Sequence, residues 1–139
     1  WRDELAFVAE LDGEVVAMVL FTPAFIDAPD RVVDVLVLSP LGVRRSLQRH
    51  GIGSRLVTES LRIVAATRPE PLVFLEGIPS YYPRFGFRIA ADMGFTAASV
   101  RIPRPAFMAY PLPNYDPSVR GALVYPDVFW RTDSVGLRE

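Results

Sequence analysis

The chain has 139 residues, 50% hydrophobic and 22% charged. That is a globular composition, sized for one domain over 1–139, and it excludes a disordered tail. Fifteen basic residues, all arginine, face 16 acidic ones for a formal charge of −1, which argues against a dedicated nucleic-acid binder. With no lysine, no cysteine and His50 as the one histidine, Schiff-base lysines, disulfides, thiolate nucleophiles and multi-histidine metal sites are all excluded.

The apolar runs are too short to cross a bilayer. The start (Trp1, Arg2, Asp3, Glu4) has no basic region leading into an apolar stretch, so no signal peptide is expected. A cytoplasmic setting is compatible with these features, and neither a membrane nor a metal is an expected partner.

Leu5 to Leu11 reads as a strand, closed by Asp12-Gly13, a type I′ turn signal. Glu14 to Phe21 is its antiparallel return, and 22–30 reads as a loop. Val32 to Leu38 is nearly continuously apolar, as a central strand is. Pro40 then leaves two readings: the strand ends at Leu38, or it continues with a bulge and leaves its neighbour. Gly51 to Thr67 is the clear helix, with Ile52, Leu56, Val57, Leu61, Val64 and Ala65 on one face. Arg55, Glu59 and Arg62 take the other face, and Arg68-Pro69 ends the helix. Leu72 to Leu75 is a short strand, so strand, helix and strand make a right-handed parallel crossover.

Ten of the 13 prolines lie between Pro69 and Pro126, which predicts short extended pieces and turns in the second half. After Pro79 a single helical turn carries Tyr81 and Tyr82 toward Gly86. Short strands are expected around Phe87–Ile89, Ala98–Ile102 and Phe107–Leu112. The tail 113–139 adds an edge strand over Leu123–Trp130 or wraps the surface.

The segment richest in chemistry is Gln48-Arg49-His50-Gly51-Ile52-Gly53, set between a buried strand and a helix start. Glycine permits a tight turn and close approach of a ligand. A helix start offers unpaired N–H groups and the positive end of the dipole, which suit a phosphate or pyrophosphate. Arg44, Arg45 and Arg49 add charge there. The alternative is a glycine-rich connection with no ligand. Neither a Walker loop nor a dinucleotide fingerprint fits, for want of a lysine and of the right spacing.

Val43 through Gly53 resembles motif A of the GNAT N-acetyltransferases, whose core is Gln/Arg-x-x-Gly-x-Gly/Ala. Downstream, Tyr82-Pro83-Arg84-Phe85-Gly86-Phe87 resembles that family's Tyr-x-x-x-Gly-Phe segment. The run Pro79 to Phe87 is similar to the YhbS-like subgroup of predicted acetyltransferases. The resemblance covers about residues 5–112, with both motifs in the family's order.

The resemblance implies an α/β (α+β) fold: a central mixed sheet with splayed middle strands, and a main helix after the phosphate-binding loop. It favours the bulged reading of Pro40, with the pantetheine arm of acetyl-CoA in the gap between the strands. By position, the backbone of Leu41 would meet the thioester carbonyl and that of Val43 the pantetheine amides. The N–H groups around Gln48, Arg49, His50, Gly51, Ile52 and Gly53 would hold the pyrophosphate, with Ser54 supporting the helix start. The implied reaction is direct attack of a small-molecule or peptide amine on the thioester, with no covalent enzyme intermediate.

Tyr82 matches the tyrosine that protonates the departing thiolate in many members. The competing reading is an aromatic core cluster of Tyr81, Tyr82, Phe85 and Phe87. Asp34 and Glu76 are candidate bases acting through water; the alternatives are that Asp34 faces outward and Glu76 only caps a strand end. His50 is read as solvent-facing or near the CoA phosphates.

One departure from the family pattern stands out. Members open with a strand and one or two helices beside the cofactor, and these are expected to be missing before Leu5, through trimming or because another chain supplies them. Two further function classes therefore stay open beside the enzyme: a non-catalytic CoA-binding sensor or interaction module, and a purely structural domain. A homodimer through the tail is a further expectation.

Overall fold

The computed structural model describes residues 3–136. Trp1 and Arg2, read above for a leader, and the last residues of the tail lie outside the described residues. Eight strands and two α-helices follow in the order β1 (Ala6–Leu11), β2 (Glu14–Asp27), β3 (Val32–Val43), α1 (Ile52–Thr67), β4 (Leu72–Glu76), β5 (Arg88–Ile89), β6 (Phe95–Thr96), β7 (Phe107–Pro111), β8 (Gly121–Val124) and α2 (Asp127–Arg131). Hydrogen-bonded neighbours run β5-β7-β4-β3-β2-β8-β6, with β1 also on β2. The sheet is mixed: β3 and β4 are parallel, while β4 and β7 are antiparallel. The chain divides into two compact units, 1–22 with 38–69, and 23–37 with 70–139.

In the first unit the β1–β2 hairpin turns at Asp12 (φ 52°) and Gly13 (φ 80°), the two positive-φ positions a type I′ turn needs. Its register runs from Ala6↔Leu20 to Leu11↔Glu14, with an irregularity between Ala9 and Glu10. Helix α1 buries Leu56, Val57, Leu61 and Val64, each worth about 1.5–3 kcal/mol against exposure. Its other face carries the exposed Arg62–Glu59 pair at 3.1 Å. The Arg68 N–H still donates to the Val64 carbonyl at 2.9 Å, but Arg68 itself is extended, as the residue before Pro69 must be. Among the described residues no helix is long and apolar enough to cross a membrane.

The second unit packs Ile26, Val35, Leu72, Phe74, Phe95, Phe107 and Leu123 into one cluster. Phe74 sits at its centre, edge-on to Phe95 at 5.1 Å and stacked on Phe107 at 5.6 Å. That is the apolar mass a proline-rich half without a long helix needs.

Three sequence expectations change, and the open reading of Pro40 is decided. The stretch 22–30 is not a loop throughout, because β2 continues to Asp27. Pro23 falls after the β1 ladder, which ends at Leu20, and before the β8 ladder, which starts at Phe25, so its missing N–H breaks no pair of either ladder. β3 does not end at Leu38 but runs through a cis Ser39–Pro40 bond to Val43. Its parallel ladder with β4 covers Leu36↔Val73 and Val37↔Phe74, so the strand outruns that pairing.

Ala98–Ile102 is a turn, since the Ser99 hydroxyl accepts from the Arg101 N–H at 3.1 Å and its carbonyl from the Ile102 N–H at 3.2 Å. Short polar side chains that bond the local backbone in this way compete with a ladder. Finally, Leu123–Trp130 is not one edge strand. β8 lies inside the order between β2 and β6, and Pro126 ends it and leads into α2.

Candidate functional site

The first candidate region joins β3 to α1. The Arg44 N–H donates to the Val16 carbonyl at 2.7 Å, and its guanidinium pairs with Glu14 at 2.8 Å, anchoring the loop at its entrance. The Gln48 side-chain amide donates to the Val43 carbonyl at 3.1 Å. That bond folds the loop back on the strand end, so Gln48 shapes the loop with its side chain as well as its backbone. Arg49 (φ 66°) and Gly51 (φ 80°) are both left-handed, which turns the chain sharply into the helix.

Gly51 is the N-cap of α1, and it offers no side chain to the first turn. No side-chain cap bond forms there, and the first turn holds no acidic residue. A helix start left without a cap and flanked by exposed Arg45, Arg49 and His50 has the chemistry of an anion seat. Ile52, Gly53 and Ser54 occupy the first turn, half-buried. Leu41 and Val43 lie half-buried on β3, and Gly42 between them is exposed. The first unit thus gathers Leu41, Val43, Gln48, Arg49, His50, Gly51, Ile52, Gly53 and Ser54 along one strand–loop–helix passage.

The second candidate region is the 3-10 turn Tyr82–Phe85, closed by Gly86 at φ 104°. Tyr82 is half-buried, its ring edge-on to Tyr81 at 5.0 Å and to Phe87 at 5.9 Å. Burial, and then the neighbouring Tyr81, push the Tyr82 hydroxyl above its ordinary value near 10. The phenol therefore stays protonated near neutral pH, the state a proton donor needs. Tyr82 is also a member of the aromatic cluster, so the two sequence readings describe the same ring. Arg84 stacks over Tyr81 with its guanidinium carbon 4.7 Å from the ring centre.

The two candidate bases stand apart in kind. Asp34 is exposed on β3, in its outward-facing alternative. Glu76, at the end of β4, accepts the Tyr125 hydroxyl at 2.9 Å and the Gly136 N–H at 3.0 Å. It therefore fastens the C-terminal segment, a more extended version of the end-capping alternative. Tyr125 is buried, and desolvation followed by the Glu76 charge raises its hydroxyl far above the usual tyrosine range. Sequence reasoning missed Tyr125, because its partner is distant along the chain and neither residue sits in a motif. Among the described residues no group of three or more His, Cys, Asp or Glu side chains gathers to hold a metal ion.

Residues 2–90 match the family model described as an acetyltransferase (GNAT) domain. The chain is 34% identical over 100 residues to the uncharacterized N-acetyltransferase YjhQ of Escherichia coli (strain K12), covering 69% of this chain and 53% of that protein. It thus spans about half the length of this curated relative. Among solved structures, it is similar to the GNAT family N-acetyltransferase YhbS from Escherichia coli in complex with CoA, with a TM-score of 0.81 and 27% identity, covering 96% of this chain and 72% of that one. A GNAT family acetyltransferase from Brucella melitensis in complex with acetyl-CoA superposes with a TM-score of 0.65 at 26% identity, covering 89% of this chain and 67% of that one.

Proposed function

The chain belongs to the GNAT acetyltransferase family, and from that premise we propose that it transfers an acetyl group from acetyl-CoA to a primary amine. The observation that carries the reading is the uncapped, acid-free start of α1 behind a left-handed Gly51. This is a seat for an anion, placed where the family resemblance puts the CoA pyrophosphate. Solved relatives bound to CoA and acetyl-CoA support the choice of ligand.

Acetyl-CoA supplies the activated acetyl group. The backbone N–H groups of 48–53, with Arg45 and Arg49 around them, bind the phosphates. The backbone of Val43 aligns the pantetheine arm, and that of Leu41 donates toward the thioester oxygen, a bond that strengthens as negative charge builds there. The amine nitrogen bonds to the thioester carbon as the carbon–sulfur bond breaks. The Tyr82 hydroxyl gives its proton to the departing sulfur and is recharged from solvent. The amine's surplus proton leaves through water. The acceptor is a small-molecule or peptide amine, and the near-balanced charge favours no polyanion. A cytoplasmic location belongs to the same proposal.

A second reading, a CoA-binding module without turnover, draws on one observation. Glu76 is committed to Tyr125 and Gly136, and Asp34 is exposed, so neither is placed as a desolvated base. Thiol release from acetyl-CoA, measured against a panel of primary amines from polyamines to lysine peptides, decides between the two. Turnover with at least one amine that Tyr82→Phe abolishes supports the enzyme. Acetyl-CoA binding without turnover supports the module.

A further inference from the structure

Gly77 follows β4 and precedes the turn that carries Tyr82. Its backbone is pinned, with its N–H donating to the Ala106 carbonyl at 2.9 Å. The next turn is closed by the Tyr81 and Tyr82 N–H groups on the Ile78 carbonyl, at 3.0 and 3.5 Å. A methyl group built on Gly77 would stand 2.7 Å from Tyr82 Cδ2, closer still to Cε2, and 3.1 Å from Leu75 Cδ1. Leu75 is fully buried and has little room to give way.

The reason for glycine here differs from that at its neighbours. Gly86 and Gly94 hold φ values of 104° and 92°, which disfavour a side chain whatever the space. Gly77 lies outside that region, so its backbone accepts alanine without strain, and the obstacle is the Tyr82 ring together with Leu75. The ring is itself bounded by other aromatics, at 5.0 Å from Tyr81 and 5.9 Å from Phe87. To regain ordinary contact with a methyl it would have to retreat by about an ångström, which disturbs its packing on those rings.

We infer that Gly77 is a positioning residue: its missing side chain is the seat on which the Tyr82 ring lies, and this seat sets where the phenol hydroxyl points. The inference rests on the reading of Tyr82 as proton donor. A displacement of that size at a reacting group lowers turnover by on the order of tenfold to a hundredfold.

The test is a pair of mutant cycles. Gly77→Ala should lower kcat by about tenfold or more, leaving the KM for acetyl-CoA near that of the unchanged protein. In a Tyr82→Phe background, which keeps the ring and removes the hydroxyl, the same substitution should lower kcat no further. In a Tyr82→Ala background, which removes the ring, the drop in thermal midpoint caused by Gly77→Ala should shrink sharply. Full kcat in Gly77→Ala, an additive loss with Tyr82→Phe, or an unchanged midpoint penalty with Tyr82→Ala would each overturn the inference. Tyr82→Phe with undiminished kcat would overturn the proton-donor reading and this inference with it. The midpoint cycle needs no turnover, so it separates that failure from a misplaced seat.

Discussion

The loop from Arg44 to Ser54 is shaped by backbone, whereas the turn from Gly77 to Phe87 is shaped by side chains. In the loop, two left-handed residues and an uncapped helix start set the geometry, and the side chains around them are mostly exposed. In the aromatic turn, a half-buried ring packs beside a bare Cα and against two other rings. A backbone-built site depends on glycine and on helix direction, so it tolerates varied side chains around it. A packing-built site transmits small volume changes straight to the reacting group, because interiors are close-packed. The two regions should therefore respond differently to substitution.

The largest expected effect is in the packed region. Tyr82→Phe should lower kcat by on the order of a hundredfold to ten-thousandfold, the usual contribution of a positioned acid. Acetyl-CoA affinity, measured by calorimetry, should be unchanged. In the loop, Gly53→Glu places a negative charge in the first turn, and acetyl-CoA affinity should weaken by roughly tenfold to a hundredfold with the thermal midpoint little altered. Should Gly53→Glu abolish folding and leave affinity intact in the folded fraction, the contrast would break.

A smaller effect is expected at Glu76, which touches neither region's reacting groups. Glu76→Ala strands the Tyr125 hydroxyl and the Gly136 N–H, and denaturant titration should show a loss of about 1.5–3 kcal/mol. pH sharpens the same point. Tyr82 and Tyr125 both have hydroxyls raised above 10.0 by folding. A group raised in the folded state holds the proton more tightly there, so its contribution is intact below pH 10 and is lost as pH rises through the folded value. Unfolding curves should therefore weaken on the alkaline side, and Tyr125→Phe should flatten part of that decline. The smallest effect is at the exposed Arg62–Glu59 pair, where Arg62→Ala should stay within about 0.5 kcal/mol.

The loop was legible in the sequence for the same reason that it is backbone-built. Gly51, Gly53, the preceding strand and the 3.6-residue period of Leu56, Val57, Leu61 and Val64 are local signals, and the helix lies within one residue of its expected start. The hairpin was legible through Asp12-Gly13. What escaped depends on distant partners. β2 extends past Pro23 because β8, far along the chain, pairs with Phe25–Asp27. Glu76 stayed open between a base and a strand-end cap because Tyr125 and Gly136 are remote in sequence. The need for glycine at 77 is likewise invisible locally, since no turn geometry calls for it and the obstacle is tertiary packing.

Calorimetric titration with acetyl-CoA, with Gly51→Val alongside, asks whether the α1 start seats the CoA phosphates. Micromolar binding to the unchanged protein is expected, weakened at least about tenfold by a β-branched residue forced into the left-handed position, in a variant shown to be folded. No heat of binding at millimolar acetyl-CoA, or equal affinity in a folded Gly51→Val protein, would contradict it.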